Sequence, residues 1–349
     1  MKQIITAIFL AGFLLLAGVA RGGNPDRQGE AGAYELLMNP WAPSAGLHTI
    51  NTASISGVEA MRLNVAGLVR VDRLEVMLGH ANYMQGVDIR MNALGLSRKT
   101  GENGAFGLSI MAIDFGEIQV TTDDQPEGTG ATYSPNFFNI GLSYAHIFEN
   151  KVSVGITVRG VSQSLSDIAA FGLAIDAGIQ YVTGPKDNFK IGISLRNVGS
   201  PMRFGGEGLA EQRPSPNRGG YELTYNTRAA EFSMPSLLNL GIAYDLFPFE
   251  KHRISLMGNF TAHSFSRDQL GAGVEYALAE QFKIRAAYKY DLGSEEDPAQ
   301  PLYSGLSAGA SIDFPLSRED KKTRIGLDYA YRTTRIYNGT HNISLRFSL

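Results

Sequence analysis

The chain has 349 residues, a formal net charge of −3 and no cysteine. The missing cysteines exclude disulfides, thiolate metal sites, cysteine nucleophiles and an acylated N-terminal cysteine. The near-neutral balance has no run of lysine or arginine to contact phosphates, which excludes nucleic acid as a partner.

The chain opens on MKQIITAIFLAGFLLLAGVARGG. Lys2 gives a positive start, Ile4 to Leu16 an apolar centre and Gly18-Val19-Ala20 a small-residue cleavage site. Residues 1–20 therefore read as a secretory signal, with the exported chain starting near Arg21. A membrane anchor is the alternative, but the apolar centre is short for a spanning helix, which needs roughly 20 residues. No later segment approaches that length without a charge.

Residues 21–71 do not alternate well between polar and apolar. Short apolar pieces mix with glycines and include the single tryptophan, Trp41. Within SGVEAMRLNVAGL, Val58 to Leu63 reads as a short helix before a glycine turn.

From residue 72 onward the pattern changes to strict alternation. Fourteen runs lie near 72–83, 87–99, 104–114, 136–148, 151–163, 169–182, 189–198, 236–246, 252–264, 268–279, 281–292, 302–314, 322–333 and 339–349. In QFKIRAAYKYDL, Phe282, Ile284, Ala286, Tyr288 and Tyr290 share one face, and Lys283, Arg285, Lys289 and Asp291 the other. Most runs have about ten residues, the length that crosses a bilayer when tilted. An even number suits a closed single-chain barrel. The closing THNISLRFSL alternates to Leu349, as a strand that must pair with the first to leave no open edge.

The connections alternate as well. TGEN, ENK, TGPKDN, FPFEK, AEQ and PLSREDKK form a short set, while the other set holds the long stretches 115–135, 199–235 and 293–301. Outer-membrane barrels have short periplasmic turns and longer outer loops, so a periplasmic start at residue 72 puts every short turn on one side.

Alternation alone does not separate such a barrel from a soluble sandwich. Aromatics near the short turns, at Phe148, Tyr181, Phe189, Phe247, Phe282 and Phe314, fit an interfacial girdle. The opposite face is rich in Gly, Ser and Ala and carries charges of both signs: Arg159, Asp176, Arg196, Asp245, Glu275, Arg285, Asp313 and Asp328. The expected fold is all-β: a fourteen-stranded antiparallel transmembrane β-barrel over 72–349 in the bacterial outer membrane, bathed by its lipid. Residues 21–71 then read as an N-terminal hatch or plug for the lumen, the alternative being a loose periplasmic arm. The inner charges read as structural ion pairs, the alternative being a polar permeation path.

Candidate chemistry is sparse. GLSAG, Gly305 to Gly309, matches a nucleophile pattern, but that pattern works on a strand-to-helix elbow and here falls inside a predicted strand. The histidines, at 48, 80, 146, 252, 263 and 341, do not show metal-ligand spacing. The expectation is no enzyme, no metal and no cofactor.

Five stretches carry a family resemblance: GEAGAYELLMNPWAPSAGL, GVEAMRLNVAGL, SLRNVGSPMRF, MPSLLNLGIAYDL and the closing GLDYAYR with THNISLRFSL. In this order they resemble the PorV/PorQ family of outer-membrane proteins, itself similar to the FadL fatty-acid transporter group. GVEAMRLNVAGL looks like the family's A-x-x-x-N-P-A-G-L hatch motif, placed here on Asn64, Val65, Ala66 and Gly67, with Trp41 in the stretch before it. Valine replaces the family's proline, which restores an N–H and permits more extension. The resemblance implies a fourteen-stranded barrel with an N-terminal hatch. It also implies a role in type IX secretion or a related envelope assembly, holding the C-terminal signal domain of exported cargo or meeting translocon components.

Two functions follow. The first is an interaction protein, whose long loop 199–235 offers Tyr221, Leu223 and Tyr225 for an added strand or a partner. The second is a FadL-like transporter of hydrophobic molecules, with Trp41, Met61 and Leu63 lining an apolar pocket. An inner face read as polar and small counts against the second.

Overall fold

Fourteen antiparallel strands close on one another in the computed structural model, which describes residues 23–216, 220–294, 301–316 and 323–349. The signal stretch lies outside the described residues. The strands are β1 (Leu74–Tyr83), β2 (Ile89–Thr100), β3 (Gly104–Asp114), β4 (Asn136–Phe148), β5 (Val152–Leu165), β6 (Ile168–Thr183) and β7 (Phe189–Gly199). They continue as β8 (Leu237–Phe249), β9 (His252–His263), β10 (Gln269–Leu278), β11 (Phe282–Asp291), β12 (Tyr303–Pro315), β13 (Arg324–Thr334) and β14 (Thr340–Ser348). Each strand pairs with its neighbours in sequence, and β14 pairs with β1, setting Val76 opposite Phe347 and Leu78 opposite Leu345. The N–H of Leu349 donates to the Leu74 carbonyl at 2.8 Å, so the last residue is held in the ladder.

The two-residue period decides the faces. Leu327 is 55% exposed and its neighbour Asp328 is 0% exposed. The same alternation puts Phe171, Leu173 and Ile175 outside and Ala170, Ala174 and Asp176 inside. At the short-turn end, Phe148, Tyr181, Phe247, Phe282 and Phe314 are exposed, while Phe189 is partly covered. Two of the short turns have successive residues at positive φ, Glu149-Asn150 and Ala279-Glu280. That is the twist-matched geometry of tight hairpins.

The inner face departs from the sequence reading over β1 to β3. Met77, Met91, Met111 and Ile113 are inward and buried, so this wall is apolar, not polar and small. Leu78 on the outward face of β1 and Leu94 and Leu96 on that of β2 are also apolar, which leaves composition unable to say which set faces in. The long loops add two small hairpins: Ile118–Gln119 with Thr132–Tyr133, and Ala210–Pro214 with Glu222–Asn226.

The N-terminal segment is built of short turns. Tyr34–Leu37 and Val65–Arg70 are 3-10 helices, and Ala42–Ala45 and Ala60–Leu63 are single α turns. The second α turn begins two residues later than the sequence suggests. Among the described residues no helix is long and apolar enough to cross a membrane.

Candidate functional site

The N-terminal segment lies against the inward faces of the strands, and its burial explains much of the glycine content. A Cβ added at Gly95 would stand 2.2 Å from the Val58 side chain, and at Gly107 2.4 Å from the Met61 sulfur. At Gly155, Gly178 and Gly192 it would stand 2.7 Å from Val65 O, 2.0 Å from Asn64 Oδ1 and 2.4 Å from Thr52 O. Glycine at these inward positions lets the segment's backbone approach the wall.

Polar side chains of the wall then satisfy the segment's free carbonyls. Gln180 Nε2 donates to Thr52 O at 3.1 Å and Ile55 O at 3.0 Å. Arg159 Nη2 donates to Met61 O at 2.9 Å, Arg196 Nη2 to Leu36 O at 3.1 Å and Asn342 Nδ2 to Asn39 O at 3.0 Å. A short irregular segment has few backbone bonds of its own, so buried carbonyls need such partners.

Most of the predicted inner charges are brought into ion pairs; Arg196 instead donates to a segment carbonyl and Asp328 has no hydrogen-bonded partner. Arg159 meets Asp176 at 2.8 Å, and Asp176 also accepts from the Asn197 N–H at 2.6 Å. That second bond anchors Asn197, at φ 58, beside a register break between β6 and β7. Asp245 holds Lys190 at 2.6 Å and accepts from Ser255 Oγ at 2.5 Å. Glu275 is shared by Arg285 at 2.5 Å and Arg253 at 2.9 Å. Asp313 takes Arg346 at 2.8 Å. Asp328 accepts no hydrogen bond, and its nearest cation is Arg346 at 3.7 Å. Two patterns escaped sequence reasoning. Arg62 is buried within the segment and donates to Met38 O at 2.9 Å and to Glu35 O. Gln163 Nε2 donates to Glu35 Oε2 at 2.9 Å.

The motif residues 64–67 form one knot. Asn64 Nδ2 donates to Thr52 O at 2.9 Å and to Ile179 O at 3.2 Å, while its Oδ1 accepts from Ala66 N–H at 3.3 Å. Asn64 is the extended residue, at φ −148 and ψ 99, and Val65 starts a helical turn. Valine at this position therefore does not extend the chain, since a first-turn residue is one that proline would also suit. Gly67 is close-packed: a Cβ there would lie 2.1 Å from Ile55 O.

The apolar inner wall joins the segment in one cluster. Trp41, Val58, Met61 and Leu68 pack with Met77, Met91, Met111 and Ile113. Tyr83, Ile89, Phe115 and Phe137 continue it to the long-loop end, with the rings of Phe115 and Phe137 4.8 Å apart. Leu63 lies apart from it, with Ile55 and Ala60. The strip is closed: a void of about 10 Å³ remains between Trp41, Arg62, Met111 and Arg159. A cleft of about 390 Å³ lies at the short-turn end beside His146, Phe148, Lys151 and Tyr181.

No elbow supports a nucleophile at Ser307. It lies within β12, and its Oγ donates to Gly46 O at 3.1 Å. Among the described residues, no three His, Cys, Asp or Glu are grouped to hold a metal.

No family model and no curated protein matches the sequence. Solved structures do match the fold. The toluene transporter TodX of Pseudomonas putida is 16% identical with a TM-score of 0.54, covering 89% of this chain and 98% of that one. A deletion mutant of TodX, a monoaromatic hydrocarbon channel, gives 13% and 0.56, over 89% and 98%. A FadL homologue of Pseudomonas aeruginosa gives 13% and 0.51, over 88% and 98%. The chain therefore has the fold of the FadL-like fourteen-stranded barrels of the bacterial outer membrane.

Proposed function

We propose that this protein is a non-enzymatic outer-membrane transporter of small hydrophobic molecules, with residues 23–71 as its plug. The observation that carries the reading is the apolar strip from Tyr83, Ile89, Phe115 and Phe137 at the long-loop end down to Trp41 and Met61. The plug covers this strip when docked, so a hydrophobic ligand would take the plug's place on the apolar wall, where ion pairs elsewhere on the wall favour water or the segment's own carbonyls. Methionines suit this role because flexible thioethers repack around ligands of different shape and make favourable contacts with aromatic rings. The toluene transporter among the fold matches supports the same ligand class.

Trp41 tests the reading directly. In detergent-solubilised full chain, toluene should change Trp41 emission saturably, and Met111→Glu should abolish the change while the barrel still assembles. A linear, non-saturating response in the unmodified protein would refute it.

A second reading is the PorV/PorQ-type role of holding a protein partner. The hairpin of Ala210–Pro214 and Glu222–Asn226 supports it. Tyr221, Leu223 and Tyr225 are all exposed there, and among the described residues the two strands pair only with each other, so their outer edges could accept another strand. Co-purification in mild detergent with and without residues 206–230 separates the readings: a partner lost with the hairpin favours this one.

A further inference from the structure

One side of the lumen carries more carboxylates than cations where the segment crosses it. Glu59 comes from the segment, Glu75 from β1, Asp313 from β12 and Asp328 from β13, and the charge of Arg346 on β14 acts with all four. Arg346 Nη2 donates to both oxygens of Asp313, at 2.8 and 2.9 Å, and stands 3.7 Å from Asp328 Oδ1. Of the other cations nearby, Arg324 donates to the Glu280 and Asp313 carbonyls at 3.0 and 3.4 Å, and two more are shared with other acids. Arg285 is paired with Glu275 at 2.5 Å, and Lys283 lies 3.4 Å from Glu280 and 3.7 Å from Asp313. Asp328 is fully buried, and neither of its oxygens accepts a hydrogen bond.

The segment is fastened at this place. Val58 N–H donates to Glu75 Oε1 at 2.7 Å and Ala42 N–H to Ser344 Oγ at 2.9 Å, while inside the segment Ser44 N–H donates to Glu59 Oε2 at 3.0 Å and fixes that side chain. Several carboxylates around one arginine do not all ionise without cost, and a proton on one of them relieves it. We propose that Glu59, which shares Arg346 with Glu75, Asp313 and Asp328, is a proton-operated latch: it holds the plug docked while its carboxyl is protonated and loosens it once that carboxyl is ionised. The latch rests on the plug reading above.

The sign follows from Glu59, the acid that leaves with the segment. Burial pushes it up to about 7, with Arg285, the Ser44 N–H and Arg346 opposing and Asp328 adding to the rise. A free glutamate titrates near 4.5. The docked state therefore binds the extra proton, and docking is firmest below about pH 4.5. It weakens as pH rises to about 7 and levels off above. Each unit is a factor of ten, so the change is capped at roughly 300-fold.

Trp41 is the only tryptophan, lies in the segment and is 2% exposed, so in the absence of a hydrophobic ligand its access to a quencher reports docking. The test is acrylamide quenching of Trp41 in liposomes at pH 5 and pH 8, with planar-bilayer conductance on the same protein. The expected quenching constant rises at least threefold and the conductance at least tenfold from pH 5 to pH 8. Glu59→Gln should stay at the pH 5 level at both. If that variant does not assemble, Asp328→Asn takes its place and should blunt the rise. Equal quenching at the two pH values, or a full response in the assembled variant, overturns the latch. Deleting residues 22–66 separates this from failure of the plug reading. A deletion that opens the barrel while the intact protein ignores pH refutes the latch alone. A deletion that leaves conductance unchanged refutes the plug.

Discussion

Gly178→Ala tests how the segment is held. A methyl group there would lie 2.0 Å from Asn64 Oδ1 and 3.2 Å from Val65 N, well inside contact distance. The amide cannot swing away freely. Its Nδ2 is bound to Thr52 O and Ile179 O, and its Oδ1 to the Ala66 N–H. Displacing it loses two or three hydrogen bonds at about 1 kcal/mol each, on top of about 1 kcal/mol or more of overpacking. A combined cost of about 3–4 kcal/mol raises the undocked population roughly 150- to 1,000-fold, at tenfold per 1.36 kcal/mol. The assay is acrylamide quenching of Trp41 at pH 5, read beside bilayer conductance, and both should rise. Gly258→Ala is the control: its methyl would meet Ile242 Cγ2 at an ordinary 3.5 Å on the outer face, and nothing should change. Unchanged quenching and conductance in Gly178→Ala would refute the claim that this contact seats the segment.

Other expectations bear on the wall and loops. Leu327→Arg should cost about 2–4 kcal/mol of barrel stability, because Leu327 faces lipid. Asp328→Ala should cost less, since Asp313 keeps its arginine. The folded fraction, read as heat-modifiable migration on a detergent gel, should follow that order, and the reverse order would mean the strand is inside out. Arg159→Met should destabilise by about 3–5 kcal/mol, by leaving Asp176 as a buried charge without its cation. Urea unfolding in liposomes checks it, and a change under 1 kcal/mol would show that the pair is dispensable. Replacing residues 210–226 with a short flexible linker should leave gel migration of the barrel unchanged, because among the described residues that hairpin's strands pair only with each other.

Strand positions and faces were legible because a two-residue period leaves little freedom. The run read as 136–148 is β4 to the residue, and the run read as 322–333 shifts only to Arg324–Thr334. Which residues are inward also follows for charged positions such as Asp176 and Asp313, whose neighbours are apolar. It does not follow for Met77, Met91 and Met111, since both faces of those strands are apolar and lipid competes with the lumen for either. The anchors of the segment are illegible for another reason. Arg159 and Met61 are 98 residues apart, and Asn342 and Asn39 303 apart, so no local pattern records the bond. Glycines at 155, 178 and 192 are visible in the sequence, but only the folded lumen shows the backbone each one admits.

The most direct measurement of transport is uptake of radiolabelled toluene by outer-membrane-intact cells that lack other barrels of this fold. Cells producing the protein should take up toluene several-fold faster than cells without it, and Met111→Glu, which puts a charge into the apolar strip, should return the rate to background. Equal uptake with and without correctly assembled protein would contradict the transporter.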